Sequence, residues 1–485
     1  MVTKKTSVRR ALILSFGQRI TSLVITLPTI IIVSHLLTPA EVGVYSVAVA
    51  FVNLVQMLRD FGVSEYLIQE RHLNDALART AFTITLSIAW ILAALLFISS
   101  PWFGEFYHNP GLKVVLRILS INFVLLPFGS TTNMLLRRDM QFGILYKIGT
   151  GQQIIQSSTT ILLSFLGFGY IGLAWGSVAG MTALVLGCLT WGRKYRVRGI
   201  GLLHYRRVLR FGITRTLGDI VIRLGQSAPD FVIGRVLGFA DAGLYSRGYG
   251  LINTFRENVI GAISAVAFPT FAQYHRDTNN AHKIFLKSVT YLTGISWPFF
   301  IFSALMALPI IHFMFGTKWL EAVPILQLLS ITALIGTLVY QCNDYFTAIG
   351  HVGFATRAET MVQVSRIILL AVTIFISLNA VAASQIFVYA LAGVIYYRLL
   401  LKHTRLTIKD IVVALRSSAI VAICSAIVPC ISYFIFILFS QHIGISILIS
   451  SAGALIGWFI GIYITRHPLF DEVVNITTKI RYSFK

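Results

Sequence analysis

Long apolar runs recur from one end of the chain to the other, each closed by a short polar connection. They lie at about 11–37, 42–69, 80–103, 112–136, 145–166, 170–191, 208–238, 243–272, 284–315, 321–349, 354–378, 380–401, 410–439 and 442–465. A membrane-spanning helix needs about 20 apolar residues, and the alternation of period two that marks strands is absent. The pattern predicts an all-α, polytopic integral membrane protein of about 14 transmembrane helices. Lys4, Lys5, Arg9 and Arg10 precede the first run as in a secretory signal. That run is too long for a signal core and no small-residue cleavage site closes it, so it reads as a first span.

Composition agrees. Hydrophobic residues make up 56% of the 485 and charged residues 12%, against roughly 25% charged in ordinary soluble proteins. A soluble enzyme is excluded. The formal net charge of +22 would point to nucleic acid in a soluble chain, so the location of the charges decides. Connections after odd-numbered runs, such as 38–41, 104–111, 167–170, 238–242 and 378–380, hold no Lys or Arg. Connections after even-numbered runs hold many, including Arg79, Arg137, Arg138, Arg193, Lys194, Arg196, Arg276, Lys283, Arg398 and Lys402, with Lys318 as the clear exception. This alternation is the positive-inside pattern. It implies cytoplasmic termini and no nucleic-acid partner. Cys188, Cys342, Cys424 and Cys430 lie in apolar runs without metal-ligand spacing and read as packing residues.

The chain repeats itself. Ser15-Phe16-Gly17 and Leu37-Thr38-Pro39-Ala40-Glu41-Val42-Gly43-Val44-Tyr45-Ser46 return as Arg210-Phe211-Gly212 and Leu237-Gly238-Phe239-Ala240-Asp241-Ala242-Gly243-Leu244-Tyr245-Ser246. Asn53 matches Asn253, Ser64 matches Ser264, and Phe103-Gly104 matches Phe315-Gly316. The repeat unit is six helices, an even number, so both copies run in the same direction. The expected organisation is a lobe at 1–191, a basic linker at 192–210, a second lobe at 211–402 and two extra helices with a tail at 403–485. Two related lobes make alternating-access transport the default reading.

Charges within the apolar runs carry the chemistry, because each costs about 2.5 to 3.5 kcal/mol at the bilayer centre and must face a cavity or a partner. Arg215, Asp219, Arg223, Gln226 and Asp230 fall on one helical stripe. Ser15, Arg19, Ser22, Thr26 and Thr29 form a stripe on the first run, and Asn53, Gln56 and Asp60 share a face of the second, with Arg59 beside Asp60. Ser246, Tyr249, Asn253, Arg256, Glu257 and Ser264 share a face of the eighth. The bland alternatives are helix ion pairs with a structural role, such as Arg215 with Asp219, and snorkelling for Arg19, Arg117, Lys147 and Arg416. A surplus of Arg favours an anionic, phosphate-bearing ligand, since the guanidinium fork matches phosphate oxygens. Gly176-xxx-Gly180 and Gly457-xxx-Gly461 permit close helix packing and nothing more.

The motifs Ser15-Phe16-Gly17, Leu37 to Ser46, Arg59-Asp60-Phe61-Gly62-Val63-Ser64 and Phe315-Gly316-Thr317-Lys318-Trp319 resemble the polysaccharide transporter branch of the multidrug/oligosaccharidyl-lipid/polysaccharide flippase superfamily. Wzx-type exporters are the nearest likeness, over about residues 11–400. The resemblance implies two six-helix lobes around a cationic cavity, and transfer of undecaprenyl-diphosphate-linked oligosaccharide across a bacterial inner membrane. It also implies cavity arginines on the first, second and eighth spans, where this chain has Arg19, Arg59 and Arg256.

The expectation is therefore a lipid-linked oligosaccharide flippase for exopolysaccharide or lipopolysaccharide synthesis, without catalytic residues, metal or cofactor. Arg19, Arg59, Arg215, Arg223, Arg256, Asn53, Asn253 and Gln226 are expected to bind diphosphate and sugar, and Asp60, Asp219, Asp230 and Glu257 to couple or gate. A glycan polymerase and glycosyltransferases are expected partners beside the lipid. The rivals are a cation-coupled multidrug antiporter, which should have an acidic cavity, a membrane glycan polymerase or ligase, which needs a larger outer loop, and a non-transporting assembly partner.

Overall fold

The computed structural model describes residues 8–60, 74–197, 199–203, 205, 222, 224–278, 280–404, 406–439, 443–472 and 474. All regular structure among the described residues is helical. The chain divides into two compact units, Met1–Gly243 and Leu244–Lys485.

In the first unit, α1 spans Val8–Leu36, α2 Pro39–Asp60, α3 Asp75–Phe106, α4 Pro110–Leu125, α5 Pro127–Arg138, α6 Phe142–Phe165 and α7 Tyr170–Trp191. A helix α8 covers 224–236. Helix starts are set by local chemistry. Thr38 and Glu41 form a reciprocal cap ahead of α2: the Thr38 amide donates to Glu41 Oε2 at 2.8 Å and the Glu41 amide to Thr38 Oγ1 at 3.3 Å. Asn74 Oδ1 accepts from the Leu77 amide at 2.8 Å to start α3, and Asn109 does the same for α4 with Pro110 behind it. The run expected as one span at 112–136 is bent by 51° between α4 and α5. Pro127 lacks the N–H that would have continued the ladder.

The second unit holds α9 at Phe239–Phe255, which begins at the end of the first unit, a π-helical turn at Arg256–Ile260, and α10 at Gly261–Thr278. It continues with α11 at Ala281–Leu305, α12 at Ala307–Phe315, α13 at Ala322–Gly336, α14 at Cys342–Ala348, α15 at Val352–Thr373, α16 at Leu378–His403, α17 at Ile408–Phe439 and α18 at Ile443–Ile464. The runs expected at 284–315 and 321–349 are each two helices, broken at Met306 and after Gly336. Pro309 explains the first break, since it cannot donate to the Leu305 carbonyl. Among the described residues eight helices are long and apolar enough to cross a membrane, and nine if α4 and α5 make one span. Helices such as α6, with Gln152, Gln153 and Gln156, and α15, with Arg357, Glu359, Gln363 and Arg366, are too polar to qualify on length and hydropathy alone.

Close packing follows the glycines, as the spacing predicts. A Cβ on Gly176 would collide with Thr160 Oγ1, and one on Gly180 would lie 2.8 Å from Gln156, so α7 rides on α6. Gly457 and Gly461 bring α18 onto the backbone of α17 at Cys424 and Val421. The tightest approach joins the two repeat-related glycines. A Cβ on Gly43 would collide with the Phe239 carbonyl oxygen, and one on Gly243 with that of Pro39. Cys188 and Cys342 are buried and pack as expected, whereas Cys430 is exposed. The outward faces of α17 and α18 are apolar, as Ile423 at 63% and Leu448 at 71% exposure illustrate, which fits helices whose solvent is lipid.

After α18 the chain is pinned by His467, only 1% exposed. Its Nδ1 accepts from the Leu469 amide at 3.2 Å, leaving Nε2–H to meet Ser418 Oγ at 3.2 Å. Ser418 donates to the Thr290 carbonyl at 3.3 Å, which closes the network on α11 and α17. Burial pushes the imidazole down to about 4.

Two outcomes follow. Gly43→Ala should cost about 1 to 3 kcal/mol in thermal unfolding of detergent-purified protein, the range typical of overpacking. Gly250→Ala, where a Cβ meets nothing within 4 Å, should be neutral or stabilising by up to about 1 kcal/mol. Equal losses at the two sites would refute the packing argument. For His467, the unfolded chain binds its proton near pH 6.5 and the folded chain only near 4. Its stabilising contribution is thus complete above about pH 6.5 and lost as pH falls toward 4. The unfolding midpoint should drop over that window, and His467→Gln should remove that part of the drop.

Candidate functional site

The polar face of the eighth run is assembled in the second unit. On α9 the rings of Tyr245 and Tyr249 stack at 6.1 Å. Two turns on, the π-helical turn widens the helix at Arg256, where the Gly261 amide reaches back to the Arg256 carbonyl. Such turns add a residue to the helix and shift the face that follows. Arg256 Nη2 donates to Asn253 Oδ1 at 2.7 Å and to the Tyr249 hydroxyl at 3.3 Å. The Asn253 amide then donates to Glu257 Oε1 at 2.9 Å. Asn253 therefore bridges a guanidinium and a carboxylate, and its two ends face the charges they suit. Tyr340 and Tyr389, edge-to-face at 5.9 Å, lie close enough to interact with Arg256. Ser264, further along the same face, lies beside Asp344.

The same device recurs one layer away. Arg366, 6% exposed on α15, donates to Gln363 Oε1 at 2.9 Å, and the Gln363 amide donates to Glu359 Oε1 at 2.6 Å. Tyr396 donates to the other Glu359 oxygen at 3.1 Å. The Arg366 guanidinium also sits 5.5 Å from the Tyr389 ring centroid, so Tyr389 connects the two clusters. Sequence reasoning missed Glu359, Gln363 and Arg366. Their spacing of four and three residues was the available signal. Arg247 was missed too; it lies 5.4 Å from the Trp319 ring and 5.8 Å from Phe315, both fully buried within the motif Phe315 to Trp319.

In the first unit the polar face of α1 is tied to α6. Gln153 Nε2 donates to Thr26 Oγ1 at 3.0 Å, and Thr21 meets the Tyr146 hydroxyl at 3.1 Å. Thr29 instead bonds its own helix, at the Ile25 carbonyl. Arg19 and Arg59 are half-buried, with Arg59 in the last turn of α2, where the helix dipole favours a cation. Asn53 and Gln226 are exposed and Asp230 is half-buried. The side chain of Asp60 and the residues Arg215, Asp219 and Arg223 lie outside the described residues. Of the expected site, the structure joins Asn253, Arg256 and Glu257 by direct hydrogen bonds. Arg117 interacts with its own surroundings, donating to Ser100 Oγ at 3.1 Å over the Phe97 ring. Arg235 sits 4.9 Å from the Phe106 ring centroid.

Fold and composition together define a multi-pass helical membrane protein. The architecture matches the lipid II flippase MurJ in an inward closed conformation, with a TM-score of 0.70 at 16% identity over 93% of this chain and 98% of that one. It also matches an inward-facing multidrug resistance MATE family transporter, with a TM-score of 0.64 at 15% identity over 78% and 93%. The family model for polysaccharide biosynthesis proteins matches residues 32–324, and the chain belongs to that family. The resemblance drawn from the motifs is borne out. Among curated relatives it is 24% identical to the lipopolysaccharide biosynthesis protein WzxC of Escherichia coli strain K12, over 63% of this chain and 62% of that protein. It is 26% identical to the teichuronic acid biosynthesis protein TuaB of Bacillus subtilis strain 168, over 62% of each. To the succinoglycan biosynthesis transport protein ExoT of Rhizobium meliloti strain 1021 it is 28% identical, over 66% and 65%. The chain spans 62 to 65% of the length of these relatives.

Removing one end of a bridged charge pair should be costly, and removing both much less so. Arg366→Met is expected to destabilise by about 3 kcal/mol, with most of it recovered in Arg366→Met/Glu359→Gln. Thermal unfolding of the purified variants measures both. Equal losses in the single and double variants would show that the two charges are not coupled.

Proposed function

We propose that the protein is a flippase that carries undecaprenyl-diphosphate-linked oligosaccharide repeat units across a bacterial inner membrane, by alternating access, for exopolysaccharide or lipopolysaccharide synthesis. On this reading it has fourteen spans, in lobes at 1–191 and 211–402 joined by the basic segment 192–210, with two further helices at 403–485. Both termini face the cytoplasm. The observation that carries the reading is Arg256, held at the widened turn by Asn253 and Tyr249 with Tyr340 and Tyr389 beside it. A guanidinium fork offers paired donors to phosphate oxygens, and tyrosines offer hydroxyls and ring faces to sugars.

Arg256 binds the diphosphate in this scheme, with Arg19, Arg59, Arg215 and Arg223 as further cationic positions and Asn53, Asn253 and Gln226 as hydrogen-bonding ones. Asp60, Asp219, Asp230 and Glu257 are proposed to couple or gate, by changing charge or by releasing an arginine between states. Glu257 is exposed and reaches Arg256 only through Asn253, so a competing phosphate would not have to break a direct ion pair. The names of the relatives support a glycan cargo. The likeness to both MurJ and a MATE transporter supports the scaffold and leaves the cargo to the charges on its faces. The Arg-bearing faces argue against the antiporter reading, which calls for acidic ones. Polymerase and glycosyltransferase partners belong to the same proposal.

Purified protein in liposomes should translocate a fluorescent lipid-diphosphate oligosaccharide. Arg256→Ala and Arg223→Ala should slow translocation by about tenfold or more, the loss expected for one charge-assisted phosphate contact. Arg235→Ala at equal reconstitution should change it little. Equal effects of the three variants would reject the assignment of the arginines, and failure of the wild type on several lipid-linked donors would reject the flippase reading.

A further inference from the structure

At the basic end of the first unit three connections that are far apart in sequence line one cavity of about 400 Å³. Arg79 comes from the start of α3, Arg138 from the end of α5, and Lys194 and Arg196 from the turn that follows α7. The positive-inside rule asks only that such loops be basic. It does not ask that four cations converge on one concavity.

The walls are built by specific contacts. Tyr195 packs its ring on the cluster of Leu136, Leu145, Ile148 and Cys188, with Asp139 beside it. Burial and that carboxylate push its phenol up to about 12. At Met140 the backbone turns left-handed, with φ of 56°, and the Gln141 amide closes on the Leu136 carbonyl at 2.9 Å, so Asp139 stays on the rim. Beyond Arg196 the chain folds back along α3, where the Gly201 amide donates to Thr83 Oγ1 at 3.0 Å. A Cβ on Gly201 would lie 3.2 Å from that of Arg79.

Asp75 and Asp139 also line the cavity. Asp139 lies beside Tyr195, and Asp75 sits in the first turn of α3, where the helix dipole favours a carboxylate. Four cations against two carboxylates leave the cavity at a formal net +2. Three of the four cations are arginines, the residue type whose donors pair with phosphate oxygens. A cavity of this size lies at the lower end of the range for small-ligand sites. It is large enough for a diphosphate or a phospholipid headgroup.

We propose that this cavity is a phosphate-binding site, formed by Arg79, Arg138, Lys194 and Arg196, which takes a diphosphate-sized anion, either free or as the headgroup of a membrane lipid. It stands apart from the Arg256 cluster and does not rest on the flippase reading. The cations are largely exposed, so binding is multidentate and weakens as salt rises.

The test uses the purified full chain. One arm titrates inorganic pyrophosphate in neutral detergent. The other measures retention of phosphatidylglycerol by native mass spectrometry after reconstitution in phosphatidylcholine nanodiscs with and without it. Arg79→Gln/Arg138→Gln/Lys194→Gln/Arg196→Gln should lower affinity or retention by about tenfold or more. A set with the same charge change, Arg276→Gln/Lys283→Gln/Lys402→Gln/Lys409→Gln, should lower it by less than about twofold. A loss confined to the first arm identifies a free phosphate ligand, and one confined to the second a lipid headgroup. Should the fourfold variant not fold, Lys194→Gln/Arg196→Gln, in an exposed turn, is expected to show a smaller loss in the same arm. Equal effects of cavity and control sets, or no binding by the wild type in either arm, would overturn the proposal.

Discussion

Charge inside a membrane protein must be answered by the protein, and the second unit answers it with amides. In hydrocarbon an unpaired guanidinium or carboxylate has no water to turn to, and a direct buried pair still carries a desolvation cost. Asn253 and Gln363 each stand between an arginine and a glutamate, accepting from one and donating to the other. Every link is a charge-assisted hydrogen bond, roughly twice as strong as a neutral one. An amide between the charges also fixes their separation, so the arginine is oriented without being locked onto the carboxylate. The links lie within single helices, and it is Tyr396 on Glu359 and the Tyr389 ring by Arg366 that tie α15 to α16.

The rest of the scaffold is held by shape. Lipid tails are as apolar as leucine, so helices in a bilayer gain little by hiding leucines from it, and close backbone approach takes over. The glycines at 176, 180, 457 and 461 remove the side chains that would keep helices apart. Gly43 and Gly243 do so at equivalent positions of a repeated motif, each facing the carbonyl at the start of the other's helix. The contact is thus reciprocal, since each helix start supplies both a glycine and a carbonyl.

Much of this was legible in the sequence because it is local. Apolar length located the long helices, and the small-xxx-small spacing located two close packings. The capping chemistry of Thr38 and Glu41 sat within the motif Leu37 to Ser46, which returns at Leu237 to Ser246. The bend at Pro127 and the breaks at Met306 and after Gly336 were not read, because a hydropathy window sums side chains and is blind to a missing backbone N–H. At the site, the face carrying Asn253, Arg256 and Glu257 was visible from helical period. The π-helical turn that aims it was not, since such a turn depends on neighbouring helices. Glu359, Gln363 and Arg366 obey the same period and were passed over inside a run read as an ordinary span. Their partners Tyr389 and Tyr396 lie on another helix, where sequence spacing gives no guide.

The two amide-bridged clusters are chemically alike, and what separates them is access. Arg366 is buried at 6% exposure, with Gln363 at 1%, and a ligand would have to open the helix packing to reach them. Arg256 and Asn253 are only half-buried, and Glu257 is exposed. The buried cluster therefore has one arrangement available to it and suits a fixed strut for Tyr389. The open cluster has two, with Arg256 turned to Asn253 or to an incoming anion, and the exchange trades one charge-assisted bond for another of similar strength. Such near-balance suits a site that must both take up and give back an anion, because the empty site already satisfies the arginine. On the proposed reading, the bridge that orients Arg256 also keeps its grip on a diphosphate reversible.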